Sequence, residues 1–363
     1  MGKKVLFVCC GGLENGGIQS VIMSIVRSLH DSYDFDAIVF SKGDQHYTSE
    51  FLHYGCIYHF SSRMGNGALS RNVNELIRGM NWEREFAKFM KRHGPYDVIH
   101  CHNYFESAPF LKVASRTGIP VRVAHSHNVA APYKRKNPLL RYLVQQEKKE
   151  IIKYATNCVA CSKAAGEYLF NDASVEVIHN AIDLDKFNPR KFDQYDGRLQ
   201  FVHIGRYSKQ KNQLFLLDVF KNILLRYPQA TLKLIGFGTQ EQEVRNKIID
   251  EHLDKHVIML PHDTNVAEVL SQSCAMIFPS TYEGLGISLI EAQAMGVRCF
   301  VSEAIQPEAD LGLCVHLQLS WGAEQWATYI CDYIDKNGVG HQYVDMSSYD
   351  IKNIADQYRK LYG

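Results

Sequence analysis

No apolar run in these 363 residues reaches the roughly 18 that a membrane-spanning helix needs. Charge of one sign is also missing: 40 Lys and Arg against 39 Asp and Glu leave a formal +1, so no basic field favours nucleic acid as a partner. Ten cysteines are scattered, and Cys158-Val-Ala-Cys161 has no second pair near it. That pattern excludes a disulfide framework and reads as core residues in a reducing compartment. A glycine fingerprint for dinucleotides and a Lys-bearing P-loop are both absent, as are internal repeats and low-complexity tracts. The chain enters a strand at Lys3-Lys-Val-Leu-Phe-Val-Cys-Cys10 without the apolar region of a secretory leader, so a cytoplasmic protein is expected.

What is present is ordinary globular composition, 46% apolar and 22% charged. The length exceeds what one core supports, so two domains of about 150–200 residues are expected. Short β-branched runs alternate with amphipathic stretches. Strands are predicted at 5–10, 36–40, 97–101, 120–125 and 158–161, with helices at 18–30, 72–92 and 139–154 and a short one ending at 169. Asp183–Gly197, polar and carrying Pro189, is a linker by composition. A second run follows, with strands at 199–204, 231–235, 257–260, 274–278, 298–301 and 313–316. The rhythm predicts an α/β protein of two doubly wound Rossmann-like domains, at 1–185 and 186–345, facing a central cleft. The amphipathic tail, 346–363, is expected to cross back to the first domain.

The densest chemistry lies in Phe278-Pro-Ser-Thr-Tyr-Glu-Gly-Leu-Gly-Ile-Ser-Leu-Ile-Glu-Ala-Gln-Ala-Met-Gly296. A strand gives way to a glycine turn, Gly284-Leu285-Gly286, and then to a helix whose first N–H groups suit an anion. Glu291 can accept bonds from ribose hydroxyls and Glu283 from a sugar, although either also reads as a carboxylate near a helix end. Arg206 and Lys211 extend from one strand-to-helix loop and can neutralise a departing diphosphate, which makes a metal cofactor unnecessary. Asn212 is a candidate cap for the helix that follows. Gly236-Phe237-Gly238 is a tight turn at the same edge; Phe237 either lines a base pocket or only enters a helix. Pro261-His262-Asp263 is a weaker candidate of the same kind.

In the first half, Gly16 and Gly17 open a helix and suit a diphosphate or acceptor. His100, His102, His125 and His127 end two neighbouring strands at alternate positions. No carboxylate or thiol accompanies them, so contact with a sugar hydroxyl is preferred over a metal site. Lys134, Arg135, Lys136, Arg141, Lys148 and Lys149 lie among Tyr133, Leu139, Leu140, Tyr142 and Leu143. That segment reads first as a solvated helix face and second as a patch for peripheral membrane contact.

Taken in order, these residues resemble the retaining glycosyltransferases of family 4, of GT-B fold. The resemblance spans nearly the whole chain: Gly16-Gly17, Val123-Ala-His125-Ser-His127-Asn128, Val177-Ile-His-Asn180-Ala-Ile-Asp183 with Phe187 and Pro189, Gly205-Arg206 with Lys211, and Glu283 to Glu291. Ala-His-Ser-His-Asn resembles the branch that builds bacterial capsular and exopolysaccharides. The family commonly has Pro-Asn-Gly where this chain has His179-Asn-Ala181, a departure that touches no donor contact.

The resemblance implies that Arg206 and Lys211 hold the donor diphosphate, that Glu291 binds the ribose and that Glu283 binds the transferred sugar. His125 matches the family's histidine near the sugar, with His127 its rival and His102 and Asn128 close by in the same role. A nucleotide-sugar donor, with UDP as the default base, and a glycan or polyprenyl-linked acceptor are the implied partners. Two rival readings are a sugar-nucleotide epimerase of the same fold and a non-catalytic donor-binding subunit.

Overall fold

The computed structural model of the chain describes residues 2–363 except 10, 15, 42, 44, 61–69, 130–137, 172 and 194. It resolves into two compact units, one made of Met1–Ala181 with Ile351–Gly363 and the other of Ile182–Asp350. The first unit holds β1 (Lys3–Val8), β2 (Tyr33–Val39), β3 (Gly55–His59), β4 (Val98–Cys101), β5 (Val121–Ser126), β6 (Asn157–Ala160) and β7 (Glu176–Val177). The second holds β8 (Gln200–Ile204), β9 (Thr231–Ile235), β10 (Val257–Leu260), β11 (Ala275–Phe278), β12 (Arg298–Ser302) and β13 (Cys314–Leu317). Strand order is β3-β2-β1-β4-β5-β6-β7 in one sheet and β10-β9-β8-β11-β12-β13 in the other. Every described pairing is parallel. Both sheets are therefore doubly wound, as the sequence predicts, and each reverses direction once: between β1 and β4, and between β8 and β11. At such a reversal the loops leaving the two strands diverge and open a crevice at their carboxyl ends.

The apolar runs form these strands because helices cover both faces, so a strand must be apolar on both sides. Val5, Leu6, Phe7 and Val8 are fully buried in β1, as are Phe201 and Val202 in β8. The helix Gly17–Leu29 turns Val21, Ile22, Met23, Ile25, Val26 and Leu29 onto the first sheet. Helix Gln213–Arg226 does the same for the second with Leu216, Leu217, Val219, Phe220 and Ile223. Among its described residues the linker segment is largely irregular, with a 3₁₀ turn at Pro189–Lys191.

Two strands and a helix are among the elements the sequence reading left out. β3 is an edge strand whose residues are only half-buried, and β7 spans two exposed residues. Helix Ala108–Arg116, with Pro109 in its first turn, follows close behind β4. The sequence also misreads Lys148: it is 5% exposed, donates to the Tyr168 carbonyl and lies 4.3 Å from the Tyr168 ring, so it belongs to neither a solvated face nor a membrane patch. Lys134, Arg135, Lys136 and Tyr133 lie outside the described residues. Among the described residues no helix is long and apolar enough to cross a membrane.

The last helix, Ile351–Tyr362, belongs to the first unit. Its Ile354, Ala355, Tyr358, Leu361 and Tyr362 join the core built by β1, β2 and helix Gly17–Leu29. Tyr358 is 1% exposed, and its hydroxyl meets no partner among the described residues. Replacing Tyr358 by Ala should destabilise the first unit by about 3–5 kcal/mol through the cavity it leaves. Tyr358→Phe, which removes only the unpartnered hydroxyl, should cost under about 1 kcal/mol. Urea unfolding of the two variants beside the wild type measures both.

Candidate active site

In the second unit the loops that follow β8 and β11 are sewn together at the reversal of strand order. Thr281 N–H donates to the Gln210 carbonyl at 2.8 Å, Gln210 Nε2 donates to the Tyr282 carbonyl at 2.9 Å, and Asn212 Nδ2 donates to the Pro279 carbonyl at 3.3 Å. This stitching brings Lys211 Nζ to 2.6 Å from Glu283 Oε1 and to 4.5 Å from the Phe278 ring centroid. Glu283 is 5% exposed, so a carboxylate in this position needs its cation. The ion pair uses Oε1 alone, which leaves the second oxygen to accept from a ligand hydroxyl. Arg206, by contrast, is exposed, with its guanidinium 5.8 Å from the Phe237 ring.

Two glycines let these loops meet. A Cβ on Gly236 would lie 2.2 Å from the Gly205 carbonyl oxygen, and one on Gly238 would lie 2.3 Å from that of Tyr207. What approaches the backbone here is the neighbouring loop of the chain itself. Phe237 packs against His262, ring centroids 5.1 Å apart, so the turn after β9 and the loop after β10 share one surface.

Behind Arg206 lies a buried polar pair absent from the sequence reading. His203 Nδ1 is 2.9 Å from the Ile277 carbonyl, and its Nε2 is 3.3 Å from Gln213 Nε2, which also donates to the Arg206 carbonyl at 2.9 Å. Burial pushes His203 down to about 4, so the ring is neutral. The signal available in sequence was a histidine inside an apolar strand, Phe201-Val-His-Ile204, which demands a partner. Asn212 stands at the start of helix Gln213–Arg226 as expected, but it does not cap it. Its backbone is left-handed (φ 58°) and its side chain serves Pro279 instead.

Glu291 lies on the helix Ile287–Ala294, whose start at Gly286 is also left-handed (φ 80°). The residues leading into it are packed, Leu285 being 1% exposed, and Gln293 holds the helix by donating to the Leu289 and Ala309 carbonyls and accepting from Leu311 N–H. Glu291 is partly buried, and desolvation pushes its carboxyl up to about 7, with Lys186 the opposing charge.

In the first unit the site residues again sit at strand ends beside the reversal. Gly16 precedes helix Gly17–Leu29 and accepts from Ser20 N–H at 2.8 Å, and Gly17 is exposed with open space where a Cβ would stand. At the ends of β4 and β5, four histidines form a block. Ring centroids are 4.2 Å apart for His100 and His102 and 4.1 Å for His125 and His127. Across the two strands, His100 Nε2 is 3.1 Å from His125 Nδ1, and His102 Nδ1 is 2.8 Å from His127 Nε2. All four are buried, while Asn128 is only partly so. Burial pushes His100, His102 and His125 well below the usual histidine range, the neighbouring imidazoles adding to it. Burial takes His127 to about 4, against the opposing effect of Asn180. Ring nitrogens of His100, His102 and His125 fall within 4.8 Å of one another, a spacing a metal ion could draw together. The block contains no carboxylate or thiolate to offset the ion's charge, which weighs against that use.

The structure thus joins Lys211 to Glu283, and His102, His125 and His127 to one another. It gives Glu291 a different charged neighbour, Lys186. His203, Gln213, Gln210 and the tyrosines of the last helix are the site-supporting residues that sequence reasoning missed.

Family comparison covers both units. The sequence model described as Glycosyltransferase Family 4 matches residues 15–186, and the one described as Glycosyl transferases group 1 matches 185–311. The glycosyltransferase EpsF of Bacillus subtilis is 29% identical over 353 residues, covering 90% of this chain and 87% of its own. CapH of Staphylococcus aureus, a capsular polysaccharide biosynthesis glycosyltransferase, is 23% identical over 291 residues, 77% of this chain and 76% of CapH. Among solved structures, Anabaena HepE in complex with UDP and glucose superposes with a TM-score of 0.74 at 17% identity, over 99% of this chain and 98% of HepE. The likeness in structure shows the fold, which is GT-B.

The buried neutral histidines give the protein an acid sensitivity of defined sign. Their folded pKa values lie below the ordinary 6.5, so the unfolded chain binds more protons between that value and about 4. Stability should therefore fall as pH drops through this window. His203→Gln should remove on the order of 2 kcal/mol of the loss between about pH 7 and about pH 5. Urea midpoints of variant and wild type at the two pH values measure it.

Proposed function

The chain belongs to the family 4 glycosyltransferases, and on that premise we propose that it moves a hexosyl group from a nucleoside-diphosphate sugar to a hydroxyl of a glycan or lipid-linked acceptor. The donor is assigned as a UDP-sugar, the setting as bacterial surface polysaccharide synthesis, and the outcome as retention of anomeric configuration. HepE, with UDP and glucose bound, and CapH, with its capsular role, support the donor and the setting. The observation that carries the assignment is the joined pair of loops after β8 and β11, which sets two cations and a carboxylate beside a helix start at one reversal of strand order.

In this reading Arg206 and Lys211 hold the diphosphate, aided by the N–H groups at Gly284, Leu285 and Gly286. Glu291 accepts from the ribose, Phe237 and Gly236 border the base, and Glu283 uses its second oxygen on the transferred sugar. The histidines, with Asn128, Gly16 and Gly17, are assigned to the sugar, the acceptor and the diphosphate's outer edge. As the bond to the anomeric carbon breaks, charge grows on the departing phosphate oxygens. Fixed cations stabilise that charge without reorganising, so the reaction is assigned no metal. The departing oxygen then takes the acceptor's proton.

Arg206 is the cleaner probe of this account, because it is exposed and, among the described residues, its guanidinium pairs with no buried carboxylate, lying 5.8 Å from the Phe237 ring. Arg206→Ala should lower kcat about 100-fold with Tm unchanged. Lys211→Ala should lower kcat at least as far and also cost about 3 kcal/mol, since it strands the buried Glu283 carboxylate. Activity should survive EDTA. Full activity in Arg206→Ala, or loss in EDTA restored by a divalent cation, would refute the electrostatic mechanism.

Glu291 supplies a separate test. Ribose hydroxyls donate to the carboxylate, so binding favours its charged form, and the free protein holds that carboxyl at about 7. Affinity for UDP should rise about tenfold between about pH 6 and about pH 8, beyond what the phosphates contribute. Calorimetry on Glu291→Gln should show that extra rise gone; an identical pH slope in the variant removes the ribose role.

A further inference from the structure

The block of histidines is wired to the far end of the chain. The Tyr362 hydroxyl lies 2.7 Å from His100 Nδ1, and His100 Nε2 lies 3.1 Å from His125 Nδ1. Tyr362 and His125 are each 1% exposed and His100 not at all. We propose that Tyr362 acts through His100 to fix the proton of His125 on Nε2, making His125 a hydrogen-bond donor toward the ligand and denying it the role of a base.

The direction of the chain follows from proton counting. A neutral imidazole has one N–H and one lone pair, so a ring that accepts at one nitrogen must donate at the other. Both rings are neutral because they are buried. The phenol decides which way the series runs. Among the described residues, its only hydrogen-bond partner is His100 Nδ1. If the phenol accepted there, its own proton would be buried without an acceptor; if it donates, it is satisfied. Burial raises the Tyr362 phenol far above its usual range, so the proton is present to be given.

Donation by Tyr362 at Nδ1 places the His100 proton on Nε2. His100 then donates to His125 Nδ1, and the His125 proton must sit on Nε2. That Nε2 is buried and meets no partner among the described residues, so it is the one open end of the series. Its N–H can serve a hydroxyl or a phosphate oxygen that gains charge, and its one lone pair, on Nδ1, is taken by His100. The second pair, His102 with His127, has no phenol at its end and is flanked instead by Asn180. Tyr358 faces the rings of His100 and His125 at 6.0 and 6.5 Å but makes no bond to either.

Tyr362 and His100 are thus positioning residues, and their link to turnover rests on the reading in which His125 meets the transferred sugar. The test uses the intact protein labelled with 15N in its histidine rings. Long-range 1H–15N spectra, with His125 identified by its absence from His125→Gln, should show an unprotonated Nδ1 and a protonated Nε2. In Tyr362→Phe, which keeps the ring and removes one proton, the His125 pattern should become a mixture of tautomers. Its kcat should fall about tenfold, part of the loss expected when a donor to a developing charge is misdirected, with KM for donor within about twofold.

His100→Gln retains an acceptor and a donor and should hold the wild-type pattern at His125, whereas His100→Leu should lose it. A proton on His125 Nδ1 in the wild type, or an unchanged pattern in Tyr362→Phe and His100→Leu, overturns the proposal. So does stoichiometric Co2+ binding with a visible d–d spectrum that His102→Ala abolishes, because an ion would take the lone pairs the series shares. If the tautomers respond as stated while kcat does not, the wiring stands and the assignment of His125 to the sugar fails.

Discussion

A polar group inside a parallel sheet must bring its own partner, and this constraint shapes both units. Strands covered by helices on both faces see no water, so an unpartnered nitrogen or carboxylate there is costly. The chain nonetheless buries His203 in β8, His100 in β4 and His125 in β5, together with Glu283 just past β11. Each is answered by a named group: Gln213 and the Ile277 carbonyl for His203, Tyr362 for His100, His100 for His125, and Lys211 for Glu283. The partners come from different elements, so satisfying them fixes how those elements dock. Chemistry collects where the strand order reverses because only there do loops leave enough room for a polar group to face a ligand.

The Lys211–Glu283 pair shows how this constraint changes the electrostatic account. A lysine read as a free cation for a diphosphate is, in the structure, already neutralised by a carboxylate at 2.6 Å. Any anion brought to this loop would therefore meet an existing ion pair, while the exposed Arg206 guanidinium has the Phe237 ring beside it. The pairing also orients Glu283, since one oxygen is held and the other is directed elsewhere. In a low-polarity setting such fixed groups are worth more to a charge-developing reaction than mobile ones, because they need no rearrangement when the charge appears.

Much of this was readable along the chain. Alternation of apolar runs and amphipathic stretches identified the doubly wound sheets, and the strand-end positions of Arg206, Lys211, Glu283, Glu291 and the histidines marked the residues worth examining. Local pattern failed where a residue's role is set from a distance. Lys148 looked like part of a basic face, yet its ammonium is enclosed by Tyr168. Asn212 had the composition and place of a cap, but its left-handed backbone sends the amide to the β11 loop. Gly236 and Gly238 looked like ligand cradles, and the nearest atoms prove to be the carbonyl oxygens of the loop after β8.

By itself the sequence determined fold class, because periodicity and burial on both strand faces are local properties that a run of residues must express. It also determined the family and the candidate residues, because strand ends are recognisable from the change in composition there. Tertiary structure alone decided the protonation and pairing of those residues. His100 and Tyr362 are separated by 262 positions, and Lys211 and Glu283 by 72, so neither contact leaves a trace in local pattern. Desolvation depends on what every other element covers, and it is desolvation that makes the histidines neutral and raises Glu291 toward the physiological range.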